Sequence, residues 1–416
     1  MLKRFGALVL AGIAAAGMAV AVAPRAQGAS DPDPGGLTVH EWGTFTSIAG
    51  PDGQSLEWRP LSGPSDLPCF VSVQNTNSIK TTLVGGVPGM KATVRMETPV
   101  VYFYSSREMT VRARVEFPQG AITEWYPSAK VPIGQVLSPL ARTRGSIEWS
   151  DVRVMPGANA NFPIESSKSH YYAARETDAA PLQVGGQQEK FLFYRGLAGF
   201  PVPLGAKIRK DGSVAVTQSG DRAIGTLILF ERRGTRFGYR TVRAGGRDVA
   251  IERPALTGSI ESLRRELRGL LTEQGLYPRE AAAMVETWRD SWFEDGARLF
   301  YLLPQSAVDA LLPLQIEPRP ASVARVFVGR LEIVTPEIET EVVHAIRAGD
   351  SVALRKFGRF LEPISQMVQA RLTATHDGQR IQEATRMVAS QGKSAAATCA
   401  ASTTAKPTVP GPAPVQ

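Results

Sequence analysis

The residues best suited to chemistry stand together near the start of the chain, in the stretch LTVHEWGTFTSIAG from residue 37 to residue 50. His40 and Glu41 place an imidazole next to a carboxylate, and general acids and bases are drawn from these groups. A carboxylate-dependent hydrolase acting on a glycan or peptide can use the His40-Glu41-Trp42 region. Glu41 and Glu124 can serve as its acid and base if their strands bring them to the separation found in glycosidases, and Glu97 and Glu116 are alternative carboxylates. The sequence leaves that separation open.

The same stretch has the alternation of a β-strand with two unlike faces. Successive strand side chains point to opposite sides of a sheet. One face therefore carries Thr38, His40, Trp42, Thr44 and Thr46, and the other carries Val39, Glu41, Gly43, Phe45 and Ser47. Neither face is plainly apolar. A first strand with a polar, tryptophan-bearing face can line a groove.

The dipeptide Glu-Trp recurs along the first part of the chain, at Trp42, Trp58, Trp125 and Trp149. Tryptophan rings from neighbouring strands can form an apolar platform for sugar rings or extended peptides. We therefore name four candidate ligand-binding residues: Trp42, Thr44, Trp58 and Trp125. The alternative, favoured for any single tryptophan, is a ring that fills the core while its glutamate faces solvent or pairs with an arginine.

Metal and nucleotide chemistry have little support in the sequence. HEWGT lacks the second histidine of a HExxH motif, and a site built from His40, His170 and a carboxylate has no supporting spacing. The sequence contains no GxxxxGK[ST] loop, GxSxG elbow or EF-hand loop. We predict no metal and no cofactor, and a structural role for His40 is the simpler alternative.

The first 28 residues have the features of a signal peptide. Lys3 and Arg4 precede an apolar run that ends at Ala23, and Ala26 and Gly28 suit a cleavage site. An uncleaved anchor is the rival interpretation, but the run is rich in Ala and Gly. Removal of the segment lowers the formal net charge from +8 to +5. We expect a periplasmic or extracellular protein whose mature chain does not span a membrane.

The chain has two cysteines, Cys69 and Cys399. Disulfides form in exported proteins, so a bond between them would join the C-terminal tail to the first domain. Two independent thiols are the alternative. Both interpretations stay open.

Residues 37–253 have short runs of alternating residues separated by Gly and Pro, a pattern typical of antiparallel β structure. This pattern predicts one large or two small β-sandwiches, with a possible seam near residues 156–185. Short connections predict hairpins between METPVVYFY and MTVRARVEFP, and between the latter and AITEWYP. Residues 255–390 change to a helical period and predict a mixed α/β C-terminal domain. Residues 391–416 are rich in Ala, Thr and Pro and predict a disordered tail. The predicted fold class is α+β.

An arginine-rich stretch runs from residue 231 to residue 247, with Phe237 and Tyr239 between the arginines. Such a pattern can hold an anionic polymer. Because we expect export, we predict no nucleic-acid partner and interpret the stretch as a solvated hairpin face.

Several motifs of this chain resemble those of an uncharacterised family of secreted bacterial proteins. They are VHEWGTFTS, EWRPLSGPSDLP, METPVVYFY, TEWYP, MVETWRDSWFEDGARLFYLLP and RVFVGRLEIVTP. The resemblance covers nearly all of the mature chain. It implies secretion, and it implies no activity, cofactor or site residue. The missing catalytic signatures, the aromatic-rich β region and the arginine-rich strands favour a non-catalytic binding or envelope-assembly protein. Its predicted partner is a polysaccharide, a peptide or an envelope protein, and the hydrolase is the alternative.

Overall fold

The protein has a mixed α+β fold, as predicted. The computed structural model describes residues 36–61, 67–74, 90–132, 140–165, 169–219, 224–369, 372, 378–384 and 386. The predicted signal peptide, Cys399 and the predicted disordered tail lie outside the described residues. Cys69 takes part in a disulfide, and the described part of the chain has no free cysteine.

The strands and helices follow in chain order. The strands before the first helix are β1 (Thr38–Ile48), β2 (Ser72–Val73), β3 (Val94–Tyr104), β4 (Met109–Phe117), β5 (Gly120–Tyr126), β6 (Gly145–Val154), β7 (Leu182–Val184), β8 (Gln187–Glu189), β9 (Leu192–Ala198), β10 (Leu204–Ile208), β11 (Val214–Gln218), β12 (Thr226–Arg233), β13 (Arg236–Arg243) and β14 (Asp248–Ile251). They are followed by α1 (Ile260–Glu273), α2 (Pro278–Thr287), α3 (Arg289–Trp292), β15 (Gly296–Leu303), α4 (Gln305–Leu311), β16 (Leu314–Glu317), β17 (Ser322–Ile333), α5 (Pro336–Ala348), α6 (Ser351–Arg355) and α7 (Leu361–Val368).

Strand β1 lies in the middle of the largest sheet. That sheet has nine strands in the order β13-β12-β15-β17-β1-β3-β9-β5-β2, and two smaller sheets have the orders β16-β4-β6-β7-β8 and β10-β11-β14. β1 runs parallel to β17 and antiparallel to β3, so Trp42 lies between Val326 and Val100. The stretch that opens the predicted mature chain is thus a central strand of the fold.

The two faces of the large sheet pack against different elements. On one face, Phe45 and Leu299 share a buried core with Val115 of the five-stranded sheet and Val216 of the three-stranded sheet. On the other face, Trp42, Val100, Val326 and Val328 pack with residues of α1, α2 and α3, namely Leu263, Leu267, Met284 and Trp292. The molecule therefore has three layers, with helices, the large sheet and the two small sheets in succession.

The predicted division near residues 253–255 does not separate two sheets. β15 and β17, which fall in the predicted C-terminal domain, lie beside β1 and β12 in the large sheet, and β16 pairs with β4 in the five-stranded sheet. Strands β1 and β17 each supply a buried apolar face, and the two strands complete each other's hydrogen bonding. The change from strand to helix period at residue 255 marks a change of local structure within shared sheets.

The predicted seam near residues 156–185 does not divide two sandwiches, because β6 before it and β7 after it pair directly, with Val152 opposite Val184. The two predicted hairpins were also wrong. β3 and β5 lie in the large sheet, whereas β4 lies in the five-stranded sheet. The short connections carry the chain from one layer to the next.

Local capping geometry marks the starts of α1 and α5 and the end of α5. The Ser259 side chain accepts a hydrogen bond from the Ser262 amide at the start of α1, and the Thr335 side chain accepts one from the Ile338 amide at the start of α5. Gly349 ends α5 with φ +66°, a conformation that glycine adopts readily. Helices α5 to α7 have an apolar cluster of their own around Ile346. No helix among the described residues is long and apolar enough to cross a membrane.

Candidate functional site

Glu41 lies between the large sheet and the five-stranded sheet and has no solvent exposure. The Tyr194 hydroxyl donates a hydrogen bond to one carboxylate oxygen, and Arg325 Nε donates to the other at 2.6 Å. Arg325 also donates to Asp309 at 2.8 Å. Burial lowers the pKa of Arg325, but the charges of Glu41 and its neighbours outweigh burial and raise it. Tyr194 and Arg325 together satisfy both carboxylate oxygens of Glu41 within the fold.

Glu41 and Glu124 do not form an acid–base pair. Two strands, β3 and β9, separate β1 from β5, so the two backbones lie about 14 Å apart at the usual strand spacing. Glycosidase carboxyl groups are at most about 9.5 Å apart. Glu124 instead accepts a hydrogen bond from the neighbouring Thr123 hydroxyl and pairs in register with Arg195. This geometry gives no support to a hydrolase that uses these two residues.

The predicted tryptophan platform is not formed. Trp42 is 0% exposed in the core between sheet and helices, and Trp58 is 1% exposed and stacks on Phe360 with ring centroids 5.4 Å apart. Trp125 is half-buried and packs against the core between the sheets. Thr44 is fully buried, and its hydroxyl has no hydrogen-bond partner in the described structure. The rings of Trp42 and Trp58 fill the interior because the burial of an aromatic ring stabilises a core.

His40 pairs with a residue that the sequence did not connect to it. Its Nδ1 lies 2.7 Å from Glu280 Oε2 on α2, and the same oxygen accepts a hydrogen bond from the Tyr277 amide at 2.8 Å. The His40 ring contacts Tyr277 at a centroid distance of 4.6 Å and Tyr104 at 5.4 Å. His40 is 4% exposed. The pair fixes the start of α2 against the first strand.

Tyr104 and Tyr277 separate the His40–Glu280 pair from a cavity of about 810 Å³. The cavity lies where β1 begins and β3 ends. Its wall comes from five parts of the chain: Gly36 and Thr38, Tyr104 to Ser106, Pro156 to Ala158, Thr177 to Pro181 with Lys190, and Tyr277 with Arg279. Part of the segment that we had interpreted as a seam thus forms one side of this cavity. Its volume falls within the range of small-ligand sites.

The Tyr104 hydroxyl is buried behind this wall, next to the carboxylate of Glu280. Burial raises the pKa of Tyr104 strongly, and the negative charge of Glu280 raises it further. The Tyr104 hydroxyl is therefore protonated at neutral pH and remains a hydrogen-bond donor.

The charged groups of the cavity are few. Arg279 forms an ion pair with Asp178 at the rim. Lys190 is half-buried, and among the described residues its ammonium group makes no hydrogen bond or ion pair. Burial lowers the pKa of Lys190, and the nearby Arg279 lowers it further. The cavity thus has one positive charge that is not balanced by a carboxylate in contact with it.

The other predicted chemistry is dispersed. His170 pairs with Asp290 on α3, apart from the His40–Glu280 pair. In the ranges that the structure covers, no group of three or more His, Cys, Asp or Glu side chains can hold a metal ion. Sequence reasoning missed Tyr104, Lys190 and Tyr277. The one local signal was the Tyr277-Pro278 helix start, which marks the backbone of Tyr277 and says nothing about its ring.

No family model matches the chain, and no curated protein matches it. A comparison with solved structures finds the Fcho1 mu homology domain of Danio rerio with a bound Eps15 peptide. The identity is 8% and the TM-score 0.26, over 73% of this chain and 98% of that one. A TM-score this low carries no argument about fold or function. The resemblance to a secreted bacterial family remains a prediction.

Proposed function

We propose that this chain is an exported, non-catalytic binding protein that holds a segment of polysaccharide or peptide in the cavity beside Tyr104 and Tyr277. The observation that carries the proposal is the cavity itself, about 810 Å³ in volume and lined by aromatic, hydroxyl and charged side chains. The two tyrosine rings offer apolar contact, and the polar side chains around them can orient a ligand.

Tyr277 is the more exposed of the two aromatic side chains in this wall. It is 43% exposed, and it packs edge-to-face against Tyr104 with ring centroids 4.9 Å apart. Large exposed aromatic rings with a polar tip are common contact residues in binding sites, since one ring supplies both apolar area and a hydrogen bond. A sugar ring or a peptide side chain can lie against it.

The binding function is favoured over the hydrolase. Glu41 is enclosed and ion-paired, and Glu124 lies three strand positions away from it in the sheet. The described cavity wall combines tyrosines and hydroxyl groups with Lys190, Arg279 and a single carboxylate, Asp178. A binding role requires only these contacts, whereas carboxylate-dependent hydrolysis requires two positioned acids.

The test is a thermal-shift screen of the full chain against neutral and acidic oligosaccharides, peptides and envelope glycans. A ligand at about a hundred times its dissociation constant stabilises a protein by about 2.7 kcal/mol. Each hit is repeated with Tyr277→Ala and with Ile164→Ala, which removes another exposed apolar side chain, 79% exposed and outside the cavity wall. We expect Tyr277→Ala to abolish the shift and Ile164→Ala to retain it. Hits that both variants retain equally would place the ligand elsewhere and reject the proposal.

A further inference from the structure

We propose that the ligand of the cavity carries a carboxylate, as in an acidic sugar, and that Lys190 binds this group while Tyr277 contacts the sugar ring. This inference rests on the proposed function and narrows it to one ligand class. It follows from the charges that line the cavity and from the side chains next to Lys190.

The wall of the cavity carries more positive than negative charge. Its ionisable side chains, apart from the two tyrosines, are Asp178, Lys190 and Arg279. Asp178 and Arg279 pair with each other. Lys190 is left as a cation with no carboxylate in contact, in a concave site where charge interactions are less screened than on an open surface.

The carboxylates around Lys190 form no ion pair with its ammonium group in the described part of the chain. Glu189, its neighbour in sequence, is fully buried and engaged by Arg175 and by the Tyr171 hydroxyl. Asp178, Glu176 and Glu189 raise the pKa of Lys190, but burial and Arg279 together lower it. Binding of an anion should stabilise the half-buried ammonium group, because the ion pair replaces the hydration that burial removed.

The wall also offers hydroxyl and aromatic groups that suit a sugar ring. Ser106 brings an exposed hydroxyl group to the wall, and Tyr277 brings an exposed ring. A pyranose has an apolar face that can lie against an aromatic ring, and its hydroxyl groups can exchange hydrogen bonds with serine. A carboxylate on that ring completes the match with Lys190. A neutral sugar would leave the cation without a partner.

The experiment compares an oligogalacturonate with its fully methyl-esterified form, which keeps the rings and removes the charge. Binding of both to the full chain is measured by calorimetry at low salt. We expect the acid to bind at least about tenfold more tightly than the ester, the scale of one hydrogen bond to a charged group. We also expect this preference to fall with added salt and with pH raised through the lowered pKa of Lys190, where the ammonium loses its proton.

Three variants assign the preference to its residue. Lys190→Gln should remove the difference between acid and ester, and Lys190→Arg should keep most of it because the positive charge remains. Lys210→Gln is the matched control, since Lys210 is exposed in the turn between β10 and β11 and is not part of the cavity wall; it should change nothing. Far-ultraviolet circular dichroism establishes that each variant is folded.

The outcomes separate this inference from the proposed function. Equal binding of acid and ester, with both lost in Tyr277→Ala, would keep the binding function and overturn the carboxylate. A preference for acid that survives in Lys190→Gln would overturn the role of Lys190. If the oligogalacturonate does not bind while a peptide does, the acidic-sugar assignment is wrong and the cavity remains a binding site.

Discussion

Glu41 and Arg325 lie opposite each other on parallel neighbouring strands, with Arg325 Nε 2.6 Å from Glu41 Oε2. The two residues are 284 positions apart in the sequence and both are buried. Their contact is therefore a structural ion pair that joins β1 to β17, the first and last strands of the described chain. This structural role replaces the catalytic role that the sequence suggested for Glu41.

Removal of this carboxylate charge should cost stability. Glu41→Gln leaves Arg325 buried without its main counter-charge, and we expect a loss of about 3–5 kcal/mol in the free energy of unfolding, measured by urea denaturation. Glu57→Gln is the matched control. Glu57 is exposed and also precedes a tryptophan, so we expect a change within about 0.5 kcal/mol. Equal stability of Glu41→Gln and the wild type would contradict the assignment.

Gly329 should not accept a side chain. A Cβ at this position would lie 2.0 Å from the Tyr301 ring, which sits opposite it on β15. We expect Gly329→Ala to destabilise the protein by about 1–3 kcal/mol, the range for overpacking. Gly269→Ala is the control, because nothing lies within 4 Å of a Cβ there in helix α1 and alanine favours a helix. Tyr301→Ala combined with Gly329→Ala should recover part of the loss, whereas simple addition of the two single losses would rule out the clash.

Tryptophan fluorescence should report a largely enclosed set of rings. The chain has six tryptophans, and Trp125 alone among them is more than slightly exposed. Acrylamide should therefore quench a small part of the emission, and Trp125→Phe should remove most of that part. Trp58→Phe should leave the quenchable part unchanged. If quenching is extensive and survives Trp125→Phe, then other tryptophans are open to solvent and the platform that we first predicted regains support.

Acid should weaken the attachment of α5. Burial raises the pKa of Glu337, but hydrogen bonds from Arg253, from a backbone amide and from Thr335 outweigh it, and the pKa is lowered to about 2. A carboxylate with a lowered folded-state pKa contributes stability above its ordinary pKa of about 4.3, and this contribution is lost as the pH falls towards 2. We expect Glu337→Gln to be less stable at pH 7 and to show a smaller fall in melting temperature between pH 5 and pH 2. An exposed glutamate on α1, Glu273, provides the control Glu273→Gln. An identical acid response in Glu337→Gln would remove Glu337 as a source of the pH dependence.

Local features of the fold could be predicted from the sequence. The alternation of β1 places His40 and Trp42 on one face and Glu41 on the other, and the structure has this arrangement: His40 contacts α2 and Glu41 contacts Tyr194. Helix starts at Ser259 and Thr335 were also predictable, because capping depends on residues three positions apart. Strand alternation and helix capping depend only on residues that are close in sequence, so both can be predicted without knowledge of the fold.

The long-range pairing could not be predicted in this way. The alternation of β1 does not distinguish β17 from any other apolar strand as its partner. The contact between Glu41 and Arg325, and with it the burial of Glu41, could therefore not be predicted. The short connections after β3 and β4 fixed only that successive strands begin close together. The cavity was missed for the same reason, because Tyr104, Lys190 and Tyr277 come from three distant segments.

The central claim is that the cavity beside Tyr104 and Tyr277 is the ligand site. The most direct measurement is a crystal structure of the full chain with the tightest ligand found in the screen. We predict ligand density against the Tyr277 ring, with an anionic group within hydrogen-bond distance of the Lys190 ammonium. Ligand density at another surface, with this cavity free of ligand, would contradict the claim.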